Sequence, residues 1–209
     1  MRIAVLGTGD VGGTLGKRWA EKGHQVIFGS RNPSRPDIRK LLTEAGPNAK
    51  VTGYAQAVAA ADVSVLATPW EAVRPLLESI GDWTGRILID CTNPLTPDLQ
   101  LAVGTTTSAA EQVAGWAQGA SVVKAFNTTG WSNMADPIYR GERITMFICG
   151  DNTEAKEIVT GLAEDLGFEV VDTGALTLAR CLEPLALLWI KLAIVQKLGR
   201  DIAFKLLRR

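Results

Sequence analysis

Histidine is almost missing from this sequence: His24 is the only one in 209 residues. That excludes nucleophilic triads that rely on a histidine base and metal centres built from several imidazoles. His24 itself falls in the turn Lys22-Gly23-His24-Gln25, where it reads as a turn residue. Cysteine is also sparse. Cys91, Cys149 and Cys181 lie far apart with no CxxC pair, which fits reduced thiols and neither a disulfide framework nor a thiolate metal site, so no metal is expected. Neither sign of charge is in excess, since Lys plus Arg and Asp plus Glu each total 22, which argues against nucleic acid as a partner. No apolar run is long. The most apolar stretch, Leu185 to Val195, is interrupted by Lys191 and falls well short of the roughly 20 residues a membrane span needs, so it reads as a buried or dimer-forming helix. Internal repeats, low-complexity tracts and linkers are absent too. Met1-Arg2 runs straight into an apolar strand, so no targeting segment and a cytoplasmic location are expected.

Glycine is where it matters. The run Gly7-Thr8-Gly9-Asp10-Val11-Gly12 follows the apolar stretch Ile3-Ala4-Val5-Leu6 and opens an amphipathic segment from Val11 to Lys22. A GxGxxG match between a strand and a helix has the context that dinucleotide binding requires. The first glycine permits the tight turn, the second lets backbone N–H groups approach a pyrophosphate, and the third lets helix and strand pack closely. The phosphate then faces the positive end of the helix.

The choice of dinucleotide is read one strand later. Gln25 to Phe28 forms the second strand, and an NAD-binding chain would carry Asp or Glu at its end, about 20 residues after the loop, to hold the ribose 2′-hydroxyl. This chain reads Gly29-Ser30-Arg31-Asn32 instead. A serine hydroxyl and an arginine fork can bind a 2′-phosphate that a carboxylate would repel, and Arg35 can add a second positive charge. NADP(H) is therefore the expected cofactor.

Strand and helix patterns alternate along the chain. Helices are expected over Ile38–Ala45, Tyr54–Ala60, Trp70–Leu77, Ser108–Ala117 and Thr153–Leu166. Strands are expected at Val51-Thr52, Val63–Ala67, Arg86–Asp90, Val122–Ala125, Thr145–Cys149 and Phe168–Val171. Two more helical stretches close the chain, Arg180 to Val195 and a tail through Leu207. The fold class is α/β, a Rossmann-type doubly wound, mostly parallel sheet. A single NADP-binding domain over 1–209 is expected, with a helical segment at about 176–209.

Ligands in such a sheet lie outside the carboxyl ends of the strands. Beyond the glycine loop, those ends include Thr68-Pro69-Trp70 and Thr92-Asn93-Pro94, expected to line the ribose and nicotinamide, together with Ala125–Thr128, Gly150–Asn152 and Asp172–Gly174.

The opening Arg2–Gly12, then Gly29-Ser30-Arg31, Thr68-Pro69-Trp70-Glu71, Ser108-Ala109-Ala110-Glu111, Cys149-Gly150-Asp151, and Asp172–Leu176 running into Ala179-Arg180 and Leu182-Glu183, appear in order across essentially the whole chain. In these motifs the chain resembles the NADPH-dependent reductases of the deazaflavin coenzyme, factor 420. The resemblance implies hydride transfer between NADPH and C5 of the deazaflavin, with the two rings stacked at the carboxyl edge of the sheet. Lys124–Trp131 lies where those enzymes place backbone against the deazaflavin. It departs from their pattern and is closer to the cytosolic NADPH:flavin reductase domain of the six-transmembrane metalloreductases, which implies FMN or FAD as the alternative acceptor. Asp10 replaces the asparagine common in that loop, so its carboxylate must point away from a pyrophosphate or be offset.

The acceptor is expected on Ala125, Phe126, Asn127 and Thr128, with Lys124 or Asn127 able to reach ring carbonyls. No catalytic acid or base is expected, because hydride transfer between stacked rings depends on distance and orientation. Two other readings stand beside this one: a dehydrogenase of small hydroxy acids or imines, and an NADPH sensor without turnover. A homodimer through the apolar C-terminal helices is expected, with a small redox co-substrate as the other partner.

Overall fold

The computed structural model describes residues 1–209, and its first half follows the alternation in the sequence: β1 Arg2–Leu6, α1 Asp10–Glu21, β2 Gln25–Gly29, α2 Pro36–Ala45, β3 Ala49–Thr52, α3 Tyr54–Ala59, β4 Val63–Leu66, α4 Trp70–Ile80, β5 Ile87–Asp90, α5 Ala109–Trp116 and β6 Ser121–Lys124. Then come a short α6 Trp131–Ala135, a hairpin of β7 Ile138–Tyr139 and β8 Glu142–Arg143, β9 Thr145–Gly150, α7 Thr153–Leu166, β10 Glu169–Asp172 and α8 Ala179–Ile190. Pro36 occupies the first turn of α2, where its missing N–H has no partner to lose.

Eight strands form one sheet in the order β10-β9-β6-β5-β4-β1-β2-β3, the doubly wound α/β arrangement. β1 to β6 are mutually parallel. Helices cover both faces, so β4 and all of β1 but its first residue are buried throughout, which is why β1 reads as a continuous apolar run and β4 as one broken only by Ser64. Alternate residues of β1 feed two cores. Ile3 and Val5 pack with Leu15, Trp19 and Phe28 on the side of α1, α2 and α7. Ala4 and Leu6 pack with Val58, Leu77 and Val113 on the side of α3, α4 and α5.

Three expectations are corrected. β9 runs antiparallel to β6 and β10 runs with β9, so Gly150–Asn152 and Asp172–Gly174 end strands directed away from the carboxyl edge of β1–β6. The stretch from Trp131 through Asp136-Pro137, for which no helix or strand is expected from the sequence, begins with α6 and leads into the β7–β8 hairpin. The tail is not helical. α8 passes into a π-helical turn, Lys191–Val195, and Lys197 (φ 58°) and Gly199 (φ 81°) then break the helix. The tail lies back on the chain. Trp189 Nε1 and Asn133 Nδ2 both donate to the Ile202 carbonyl at 2.7 Å, and Thr145 N donates to Phe204 O at 3.2 Å. No helix is long and apolar enough to cross a membrane.

Candidate functional site

The glycine loop divides its work among three positions. Gly7 has φ +123°, and a Cβ there would lie 2.2 Å from the Ala67 carbonyl oxygen. At Gly12 a Cβ would lie 2.1 Å from Gly7 O, so the third glycine is required by the contact between α1 and β1. Gly9 is different: a Cβ there would meet nothing within 4 Å. Gly9 is also the α1 N-cap and has no side chain to cap with. The first backbone bond of the turn is Gly13 N to Gly9 O, which leaves the N–H groups of Asp10, Val11 and Gly12 uncommitted. Open space, free amides and the helix dipole coincide, which suits a phosphate. Asp10 is exposed and makes no hydrogen bond, Thr8 is half-buried at the cleft, and Val11 packs against the core.

A cleft of about 1180 Å³ runs from Gly7-Thr8-Gly9 to Ser30, Arg31 and Arg35 on one side and to Thr68 and Pro69 on the other. Ser30 is buried, and its Oγ accepts Asn32 N at 3.2 Å. Arg31 is exposed and has no partner. Arg35 does not arrive as a second free cation, because its fork is held by Asp37, with Nε donating to Oδ1 at 3.0 Å. The hydrogen bond from Arg35 pulls the Asp37 carboxyl below its usual range. Arg31 is thus the unpaired cation of the cleft. On the opposite wall Thr68 Oγ1 is buried without a hydrogen-bond partner. A nicotinamide dinucleotide phosphate fits these residues: unpaired donors at the loop, an unpaired arginine at the β2 end, and an orphaned hydroxyl between them.

Other expected residues lie elsewhere. Trp70 does not line the cleft. Its ring stacks on Trp116 at 5.4 Å between centroids, and the Arg74 guanidinium lies 5.9 Å from the Trp116 ring. Asn93 lies beyond the cleft lining and pairs with Asn127: Asn93 Nδ2 donates to Asn127 O at 3.0 Å, and Asn127 Nδ2 donates to Asn93 Oδ1 at 3.3 Å and to Leu182 O at 3.1 Å. Asn127 Oδ1 is left buried and unpartnered. All four residues Ala125–Thr128 are buried. Phe126 adopts φ +62°, which turns its ring into the core edge-on to Trp19 (5.7 Å) and Phe168 (6.1 Å), so this ring offers no stacking surface at the sheet edge.

A buried ion cluster went unrecognised in the sequence. Lys124 and Asp90 are register partners at the ends of β6 and β5. Lys124 Nζ reaches Asp90 Oδ2 at 2.9 Å, Thr92 O at 2.6 Å and Glu183 Oε1 at 3.0 Å, using all three of its protons. Burial opposes the Lys124 charge, but Asp90 and Glu183 outweigh it and raise its pKa. Asp90 Oδ1 accepts both Thr92 N and Thr92 Oγ1. The Glu183 carboxylate accepts Ala109 N and Ala110 N at the start of α5. Lys124 therefore serves neither a ring carbonyl nor solvent; it ties β5, β6 and α8 together. Two charged residues ending otherwise apolar strands were the available signal. The Ser108-Ala-Ala-Glu111 motif is a capping box on α5, with Ser108 Oγ bonded to Glu111 N and Oε2, and Arg180 of α8 clasps Glu111.

Residues 2–94 match the profile of a family described as NADP oxidoreductase, coenzyme F420-dependent. The F420-dependent NADP reductase of Methanothermobacter marburgensis is 34% identical over 213 residues, which cover 95% of this chain and 95% of that enzyme. The metalloreductase STEAP3 of Rattus norvegicus is 34% identical over 97% of this chain, which spans only 40% of that protein's length. A crystal structure from Arthrobacter sp. FB24, solved as a candidate F420-dependent NADP reductase, superimposes with a TM-score of 0.91 at 34% identity and covers 99% of both chains.

Proposed function

The chain belongs to the family of F420-dependent NADP reductases, and on that premise we propose that it transfers hydride between NADPH and the deazaflavin coenzyme F420 at the carboxyl edge of the sheet. Membership makes it an NADP-linked oxidoreductase; the acceptor is our inference. The cleft carries this reading, because it joins the open Gly9 loop to an unpaired Arg31 with no carboxylate at the end of β2. When bound, NADPH supplies the hydride. The protein's own contribution is positional. The uncommitted amides of Asp10, Val11 and Gly12 hold the pyrophosphate, Ser30 and Arg31 hold the 2′-phosphate, and Arg35 joins them if it exchanges Asp37 for that phosphate. Thr68 and Pro69 border the ribose of the nicotinamide half, and the Thr92-Asn93 turn limits how far the ring can travel. The backbone of Ala125–Thr128, rather than its side chains, faces the acceptor.

FMN or FAD is the second acceptor to consider, because the rat metalloreductase is as similar over this chain as the archaeal enzyme. The chain acts as one unit over 1–209 and, with its three free cysteines, in the reducing cytoplasm. We also assign it a homodimer, because Leu188, Ile194, Val195 and Leu198 are exposed together along the C-terminal segment.

Arg31→Ala tests the cofactor assignment. Losing one charge-assisted hydrogen bond should weaken NADPH roughly 10- to 150-fold and leave NADH unchanged. An unaltered NADPH/NADH preference in a fluorescence titration would refute it.

A further inference from the structure

Asp90, Lys124 and Glu183 are fully buried and carry two carboxylates against one ammonium, one negative charge in excess. The start of α5, whose amides bind Glu183, offsets about half a charge at most. Arg180, the cation nearest in sequence, is committed to Glu111. An uncompensated interior charge is costly, so a positive ligand group nearby would be favoured.

The sheet order says which part of a ligand comes near. The 2′-phosphate residues follow β2 and the phosphate loop follows β1, so the nicotinamide half must run the other way, over β4 toward β5. Asp90 is the register partner of Leu66, and the two residues after Leu66, Ala67 and Thr68, line the cleft. Cys91 N donates to Leu66 O at 3.1 Å, which locks the two strand ends together. Oxidised and reduced nicotinamide differ by one positive charge on the ring, and the rest of the molecule is unchanged.

We propose that the Asp90–Lys124–Glu183 cluster sets the redox-state preference of the site, holding NADP⁺ more tightly relative to NADPH than a neutral interior would. Loss of hydride is thereby made easier at this edge. The inference rests on the dinucleotide reading given above. It assigns the cluster a field on the ring and no contact with it.

Asp90→Asn and Glu183→Gln each cancel the excess charge through different neighbours, the Thr92 turn in one case and the α5 start in the other. NADP⁺, NADPH and 2′,5′-ADP, which lacks the nicotinamide half, are titrated against the wild type and both variants. The ratio Kd(NADP⁺)/Kd(NADPH) should rise several-fold in both variants, since one unit of charge is removed near the ring at the intermediate dielectric of a protein edge, while 2′,5′-ADP binding holds. An unchanged ratio, a shift in only one of two folded variants, or equal weakening of all three ligands would overturn the proposal, the last two being marks of local repacking. If one variant fails to fold, the other decides by the same ratio. Wild-type protein that binds NADPH no more tightly than 2′,5′-ADP, or binds neither, would instead overturn the underlying placement of the nicotinamide and the inference with it.

Discussion

A methyl group added at Gly12 would lie 2.1 Å from a backbone carbonyl oxygen, whereas the same methyl at Gly9 would enter open space. Gly12→Ala should therefore lose roughly 1–3 kcal/mol of stability by overpacking. Gly9 has an ordinary φ of −78°, so Gly9→Ala should change stability by less than about 0.5 kcal/mol yet weaken NADPH, because its methyl occupies the pyrophosphate path. Thermal melts and NADPH titrations of the two variants check this; similar losses of melting temperature would contradict the division of labour. At this scale the glycines were legible because their roles depend on backbone geometry, which spacing encodes. Side-chain direction was not. Whether Trp70 and Phe126 face the cleft or the core depends on a partner ring 46 residues away in one case (Trp116) and on a left-handed backbone at Phe126 in the other. The Arg35–Asp37 pair, two residues apart at a helix start, was readable in principle, whereas the loop alone presents Arg35 as a second positive charge for the phosphate.

Helix α5 shows how an element is anchored and gives a prediction with a definite sign. The hydrogen bond from Arg180 lowers the Glu111 pKa. A carboxyl depressed in the folded state adds stability that is present above its unfolded pKa, about 4.3, and is lost as pH falls through the folded value. Denaturant midpoints should therefore fall more steeply below about pH 4 in the wild type than in Glu111→Gln; parallel profiles would show that the pair does not couple to folding. Ser108→Ala should cost about 1 kcal/mol at neutral pH through loss of the cap. Most elements of the first half were legible from periodicity, and the direction of β9 was not inferred. A parallel neighbour needs a crossover long enough to carry a covering helix, yet between β6 and β9 the chain offers only the five residues of α6 and a small hairpin. The lack of a helical pattern over that stretch is the sequence signal for the antiparallel direction. In the tail, apolar residues at Ile202, Phe204 and Leu206 alternate as in a strand, consistent with the extended course along Thr145.

Across the whole molecule, β9 and β10 extend the sheet of the glycine-loop half, and α8 bridges to it through Glu183 and the Leu182 carbonyl. The functional edge is thus braced from the second half of the chain. The exposed Leu188, Ile194, Val195 and Leu198 lead to the expectation that sedimentation at micromolar concentration will give twice the chain mass, and that Leu198→Glu will reduce it to one; a wild-type monomer would remove the dimer. Hydride transfer itself is tested most directly by anaerobic NADPH oxidation with the deazaflavin coenzyme and FMN offered in parallel. Fast turnover with the deazaflavin and little with FMN is the expected result. Turnover mainly with FMN, or none with either, would contradict it.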